Sequence, residues 1–182
     1  ILSDDFLAEV RNLPQKHVAA ELLRKLLENE IKGHTRTNLV KSVAFSEMLD
    51  ESLKRYRNRA VSTLEVIEEL IKLAKNVRQD RERGANIGLT PSEIAFYDAL
   101  AANESAKDLL GDAVLMQMAQ ELAKVIRQNA TIDWNLRETV RAKLRSLVRR
   151  LLRKYKYPPD AQEKATETVL KQAEILADEW AA

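Results

Sequence analysis

Few residue types in this chain could do chemistry, and their spacing argues against most of it. Glu30-Ile31-Lys32 matches the E-x-K fragment of many metal-dependent nucleases. In those sites the acid and lysine lie along a strand at a sheet edge that also supplies an aspartate. Here they fall on an apolar-periodic helix, so the match is read as chance. Adjacent carboxylates such as Glu68-Glu69 point about 100° apart on a helix and do not make an acid/base pair. His17 and His34 have no second ligand pair beside them, and each is expected at a surface or helix end. The four glycines (33, 84, 88 and 111) spell neither G-x-x-x-x-G-K-[ST] nor G-x-G-x-x-G, so no phosphate-cradling loop is present. Gly-x-Ser-x-Gly is also absent. With no cysteine, thiolate zinc sites, Fe–S clusters and disulfides are ruled out.

One charge pattern does stand out. Between residues 135 and 156 there are nine basic residues and a single acid, Glu138. Arg137, Arg141, Arg145, Arg149 and Arg153 recur every four residues, which on a helix makes one slowly drifting stripe. Leu136, Val140, Leu144, Leu147, Val148, Leu151 and Leu152 form the apolar side of the same helix, so the arginines lie on an outer or flanking face. Residues 160–182 then carry six acids against two lysines. Three destinations are open to the stripe. It can pair with the acidic last helix, dock on an acidic protein, or neutralise DNA phosphates. Trp134 and Tyr155, at the ends of this helix, are expected as core anchors.

The elements that must position these residues are helices. Among 182 residues there are only 4 Gly and 4 Pro, with 45% hydrophobic and 32% charged residues. That composition disfavours turn-rich β folds and disorder, and no alternating apolar/polar run argues for a strand. Ser3 caps a short first helix ending before Pro14. Val18, Leu22, Leu23, Leu26, Leu27 and Ile31 mark a second. A turn is expected at Gly33–Asn38. A third helix has Leu39, Val43, Phe45, Met48, Leu49, Leu53 and Tyr56 on its buried side. A fourth has Ala60, Leu64, Ile67, Ile71 and Ala74 as its seam and ends at Gly84 as the left-handed residue. Ala85–Leu89 is the hinge candidate. Thr90-Pro91-Ser92-Glu93 is a capping box that restarts the chain. A short helix ends at Gly111, Asp112 caps the next, and TID at 131–133 breaks it. The basic helix follows, Pro158-Pro159 stops it, and Asp160 with Glu163 is expected to cap the last helix. The fold class is all-α: a single irregular helical bundle of seven to nine helices, without a sheet.

Whole-chain charge is nearly balanced at +2 and announces no partner. The longest uncharged strings, such as Gly84–Ser92, are far short of the roughly 20 apolar residues of a membrane span. No signal peptide is visible in ILSDDFLAEV, so a cytoplasmic location is expected. The first residue is Ile, and the chain is read as a fragment of a longer one.

Four strings carry a family resemblance: VAAELLRKLLENEIK (18–32), FSEMLDESLKRYRNRAVSTLEVIEELIKLAK (45–75), LTPSEIAFYDALAANESA (89–106) and TIDWNLRETVRAKLRSLVRRLLRKYKYPPDAQEKATETVLKQAE (131–174). Together the chain resembles the C-terminal helical domain of type I restriction enzyme R subunits, most densely at TIDW, VRAKLR and KYKYPP. Lys156 departs from the pattern, where glycine is expected between the two tyrosines. The resemblance implies a parent with a metal-dependent nuclease domain and two RecA-like motor domains that use ATP and Mg. Those motifs lie outside these residues, so no catalytic, cofactor-binding or metal residue carries over. What carries over is a role. The expected partners are the modification and specificity subunits, the motor domain of the same chain, and duplex DNA through the complex, with no membrane. Arg137, Arg141, Arg145, Arg149 and Arg153 are the candidate interface. The alternative is a basic helical module contacting duplex DNA non-specifically beside the motor domains.

Overall fold

A computed structural model describes residues 2–131 and 133–180. Among them the secondary structure is helical throughout: α1 (Asp4–Arg11), α2 (Lys16–Thr35), α3 (Leu39–Arg57), α4 (Thr63–Ile87), α5 (Pro91–Ala101), α6 (Glu104–Asn129), α7 (Glu138–Lys154) and α8 (Gln162–Trp180). A 3-10 turn, Trp134–Leu136, precedes α7. The all-α class is the expected one.

The helices form two compact units. One comprises Ile1–Thr35 and Lys41–Asn86, the other Arg36–Val40 and Ile87–Ala182. In the first unit, α2 and α4 supply most of the core. Leu23, Leu27, Val66, Ile67, Leu70, Ala74 and Val77 are buried there with Leu7 and Val10 of α1. In the second, α5 to α8 bury Phe96, Leu100, Leu115, Met118, Leu122, Trp134, Leu144, Val148, Tyr157, Val169 and Leu176 in one cluster. Each large side chain of this kind contributes about 1.5–3 kcal/mol on burial.

Local chemistry explains most of the boundaries. Ser3 Oγ accepts from the Phe6 amide and starts α1. At α5, Thr90 and Glu93 close a full capping box, with Pro91 in the first turn. Gly111, at φ 77 and ψ 163, breaks α6 as its residue type predicts. Asp112 does not serve as the expected cap. Its carboxylate accepts the Tyr97 hydroxyl at 2.6 Å.

Several phases and ends differ from expectation. In α3, Phe45 and Leu49 face inward as expected, but Val43 and Met48 are about half exposed and Ser42 is buried. Leu64 is exposed, and the α4 seam runs through Val66, Leu70, Leu73 and Val77 beside Ile67, Ile71 and Ala74. At about 100° per residue Leu64 lies about 120° or more round the helix from Val66, Leu70, Leu73 and Val77, so it falls on the outer side. Ser62 and Glu65 form a capping box, with the Ser62 amide donating to Glu65 and the Glu65 amide to Ser62 Oγ. The helix therefore begins at Thr63, three residues after Ala60. That contact also holds the Glu65 carboxyl below its usual range. Gly84 lies inside α4. The left-handed glycine after it is Gly88, at φ 72. The unit boundary, at Asn86/Ile87, falls within the 85–89 stretch. α2 runs through Gly33 and His34, so the turn expected at Gly33–Asn38 shortens to the residues after Thr35. The TID break includes residue 132, which lies outside the described residues. Asp133 is left-handed at φ 60. The Asp160 cap is not formed. α8 begins at Gln162, whose side-chain amide donates to Tyr157 O, and Glu163 accepts from Arg149.

α7 ends in a Schellman motif. The Tyr157 amide donates to Leu152 O and the Lys156 amide to Arg153 O, which places Lys156 at the left-handed position, φ 57. Glycine, expected by family pattern at this site, is the residue that adopts that conformation without a Cβ penalty. Lys156→Gly therefore stabilises the second unit by about 1 kcal/mol, read as a raised urea midpoint. An unchanged or lowered midpoint contradicts the left-handed assignment.

Candidate functional site: the basic helix

α7 is amphipathic. Leu144, Val148, Leu151 and Leu152 are buried, and Val140 and Leu147 are partly covered. Leu136 is 80% exposed, because it sits on the 3-10 turn ahead of the helix. Trp134 and Tyr157 anchor the two ends of the segment. Both are buried, and the Tyr157 hydroxyl donates to Leu100 O at 2.7 Å. Burial pushes the Tyr157 phenol up to about 12. Tyr155 is only partly buried.

The arginine stripe divides. Arg141 pairs with Glu174 at 3.0 Å, Arg145 with Glu167 at 2.9 Å and Arg149 with Glu163 at 3.1 Å. These partners descend α8 as the arginines ascend α7, so the two helices form an antiparallel ladder. Only the Arg149 rung also has hydrogen-bond alignment. All three arginines keep more than a third of their side-chain surface in solvent. Each rung is therefore worth at most about 1 kcal/mol and is screened by salt. Of the three destinations open to the stripe, the geometry takes these three arginines to the acidic last helix. Arg137 and Arg153 are exposed and have no ion-pair partner among the described residues.

On the other flank of α7, Lys154 Nζ and the Tyr155 hydroxyl both donate to Glu121, at 2.9 and 2.5 Å. The Tyr155 hydrogen bond, then Lys154, holds the Glu121 carboxyl below its ordinary 4.5. The same bond raises the Tyr155 phenol above its ordinary 10.0. The lowered Glu121 contributes stability that is present above pH 4.5 and lost as pH falls through its folded value. The raised Tyr155 contributes stability that is present below pH 10 and lost as pH rises through its folded value. Glu121→Gln should flatten the acid limb of a stability-against-pH curve for the second unit. An acid limb identical to the parent's would contradict this.

Most of the other sequence candidates are drawn into pairing or packing. Glu30 is bound by Arg81, and Lys32, on the same helix, is exposed. Glu68 pairs with Arg11 and Glu69 with Arg55. His17 is exposed, with Nδ1 3.0 Å from the Tyr56 hydroxyl, which reaches Thr63 Oγ1 at 3.3 Å. His34 is at a helix end but buried, edge-on to Phe45 at 5.6 Å. Burial lowers its pKa, against an opposing pull from Asp80. No three His, Asp or Glu side chains converge as a metal set among the described residues. No described helix is long and apolar enough to cross a membrane.

Sequence reading missed three polar contacts in the second unit. Gln172 is fully buried. It accepts from the Leu39 amide at 2.8 Å and donates to Thr37 O at 3.0 Å. Asn38 donates to Asp98 at 2.7 Å. These join residues 60 to 135 positions apart, for which no local signal exists.

These features define an all-α domain whose distinctive chemistry is ionic, carried by one basic helix and its acidic neighbour. A family described as "Type I restriction enzyme HindI endonuclease subunit-like, C-terminal" matches residues 1–179, and the chain belongs to it. It is 44% identical over 179 residues to the type I restriction enzyme HindI endonuclease subunit of Haemophilus influenzae, covering 98% of this chain and 17% of that protein. It is 32% identical over 155 residues to a Methanocaldococcus jannaschii protein named "Putative type I restriction enzyme MjaIXP endonuclease subunit", covering 85% of this chain and 15% of that one. The chain thus spans about a sixth of the length of these relatives. No solved structure matches it.

Proposed function

We propose that this chain is the non-catalytic helical assembly module of a type I restriction endonuclease R subunit. It joins the ATP-dependent DNA translocase and nuclease to the modification–specificity core in the cytoplasm. The observation that supports this reading is the family match over residues 1–179, in a segment where Glu30, Glu68 and Glu69 are held in ion pairs and His34 in the core. The docking surface is the open α7–α8 seam: Arg137 with the solvent-facing edges of Arg141, Arg145 and Arg149. Binding energy there comes from charge complementarity with acidic side chains.

Co-elution with the purified modification–specificity complex on a sizing column tests the role. A shared peak is expected at low salt. Arg137→Glu should lose it while circular dichroism stays unchanged, because Arg137 has no ion pair among the described residues to lose. Separate peaks for the parent chain, or an Arg137→Glu variant that still co-elutes, would count against the seam as the dock.

A further inference from the structure

The ladder and the Glu121 contact leave one face of α7 unaccounted for. At about 100° per residue, Thr139, Ala142, Lys143, Ser146, Arg150 and Arg153 share an arc of about 100°, and all six are exposed. Lys143, Arg150 and Arg153 have no ion-pair partner among the described residues. The only acid of α7, Glu138, lies at its first residue. The remaining positions of the arc, Thr139, Ala142 and Ser146, are small, two of them hydroxylic, and none is a large apolar or aromatic side chain.

We propose that this face binds the phosphate backbone of duplex DNA without sequence preference. This goes beyond the docking reading and uses a different side of the helix. Charge alone would also suit an acidic protein, but the rest of the face does not. Protein interfaces centre on aromatic and aliphatic anchors; the docking seam has the 80% exposed Leu136 next to Arg137 in the chain, and this arc has none. Phosphates are contacted by Arg and Lys together with Ser and Thr hydroxyls, which is the composition here. Small neutral residues between the cations let a backbone approach the helix closely. From Lys143 to Arg153 the helix rises about 15 Å, alongside about nine duplex charges. Three cations can therefore each take a phosphate along that length.

The test is fluorescence anisotropy of a labelled 20-base-pair duplex titrated with the whole 182-residue chain, with helicity followed by circular dichroism. Binding should be detectable at 50 mM salt and fall steeply with added salt. Lys143→Gln/Arg150→Gln/Arg153→Gln should weaken it about tenfold and reduce the log–log salt slope by about 2.7, which is 0.9 per phosphate. Removing three charges elsewhere, by Lys25→Gln/Lys32→Gln/Lys72→Gln, should change affinity less than threefold. If the first variant loses helicity, Arg150→Gln alone should reduce the slope by about 0.9. Four results would overturn the proposal: no binding by the parent chain, equal weakening by the two triple variants, an unchanged slope, or displacement by polyglutamate as effective as by duplex at equal charge. Co-elution of the α7 face variant with the modification–specificity complex separates this proposal from the docking reading, since a docked but DNA-blind variant is the expected outcome.

Discussion

Trp134→Ala should lower the stability of the second unit by about 3–5 kcal/mol, the usual cost of emptying a large core site. The indole is 1% exposed and belongs to the cluster that holds Leu122, Ile126, Leu144 and Val148. It sits on the turn between α6 and α7, so its loss opens a cavity where the chain changes direction. Trp134→Phe should cost much less. The indole N–H has no acceptor among the described residues, and a buried donor without a partner costs about 1–3 kcal/mol. Phenylalanine removes that donor along with part of the volume. Urea unfolding followed by circular dichroism measures both variants, and Trp180 remains to report the second unit by fluorescence. If Phe proves as damaging as Ala, the indole N–H has a partner after all and the cavity argument is incomplete.

Gln172→Leu should cost about 1–3 kcal/mol with little change in volume. One amide side chain serves both ends of a short stretch, accepting from Leu39 N–H and donating to Thr37 O. Leu39 is the first residue of α3, where a helix has amide donors without intrahelical acceptors. Gln172 therefore acts as a cap supplied from another helix. Hydrogen exchange should show the Leu39 amide losing protection in the variant while amides in the middle of α3 keep theirs. Uniform loss along α3 would point to general unfolding and against a local cap.

How much could be read beforehand depends on how far apart the interacting residues lie. The Thr90–Glu93 capping box was legible because its partners are three residues apart. Ser62–Glu65 carries the same signal and marks the start of α4, which the expected seam placed as early as Ala60. Val43 and Met48 show a second limit: on α3 the apolar residues occupy more than one face, and only neighbouring helices decide which face is inward. The arginine spacing was plain in sequence, and so was the acidic last helix. Their antiparallel matching depends on α7 and α8 lying side by side, which periodicity does not encode. Which cations are left over, Arg137, Lys143, Arg150, Arg153 and Lys156, follows only once the pairing is known. Lys156 runs the other way. Its departure from a family glycine flagged the turn, and the left-handed backbone gives the reason.

The stretch Arg36–Val40 belongs to the same unit as Ile87–Ala182, although 46 residues of the other unit separate them in the chain. Recombination that exchanged the chain at the Asn86/Ile87 seam between two relatives would split one unit's parts between different parents. Gln172 would then meet Thr37 and Leu39 positions, and Asp98 an Asn38 position, that had not evolved beside it. Viable chimeras should therefore inherit residues 36–40 together with everything after residue 86, so the smallest heritable block is interrupted in sequence though it is whole in space.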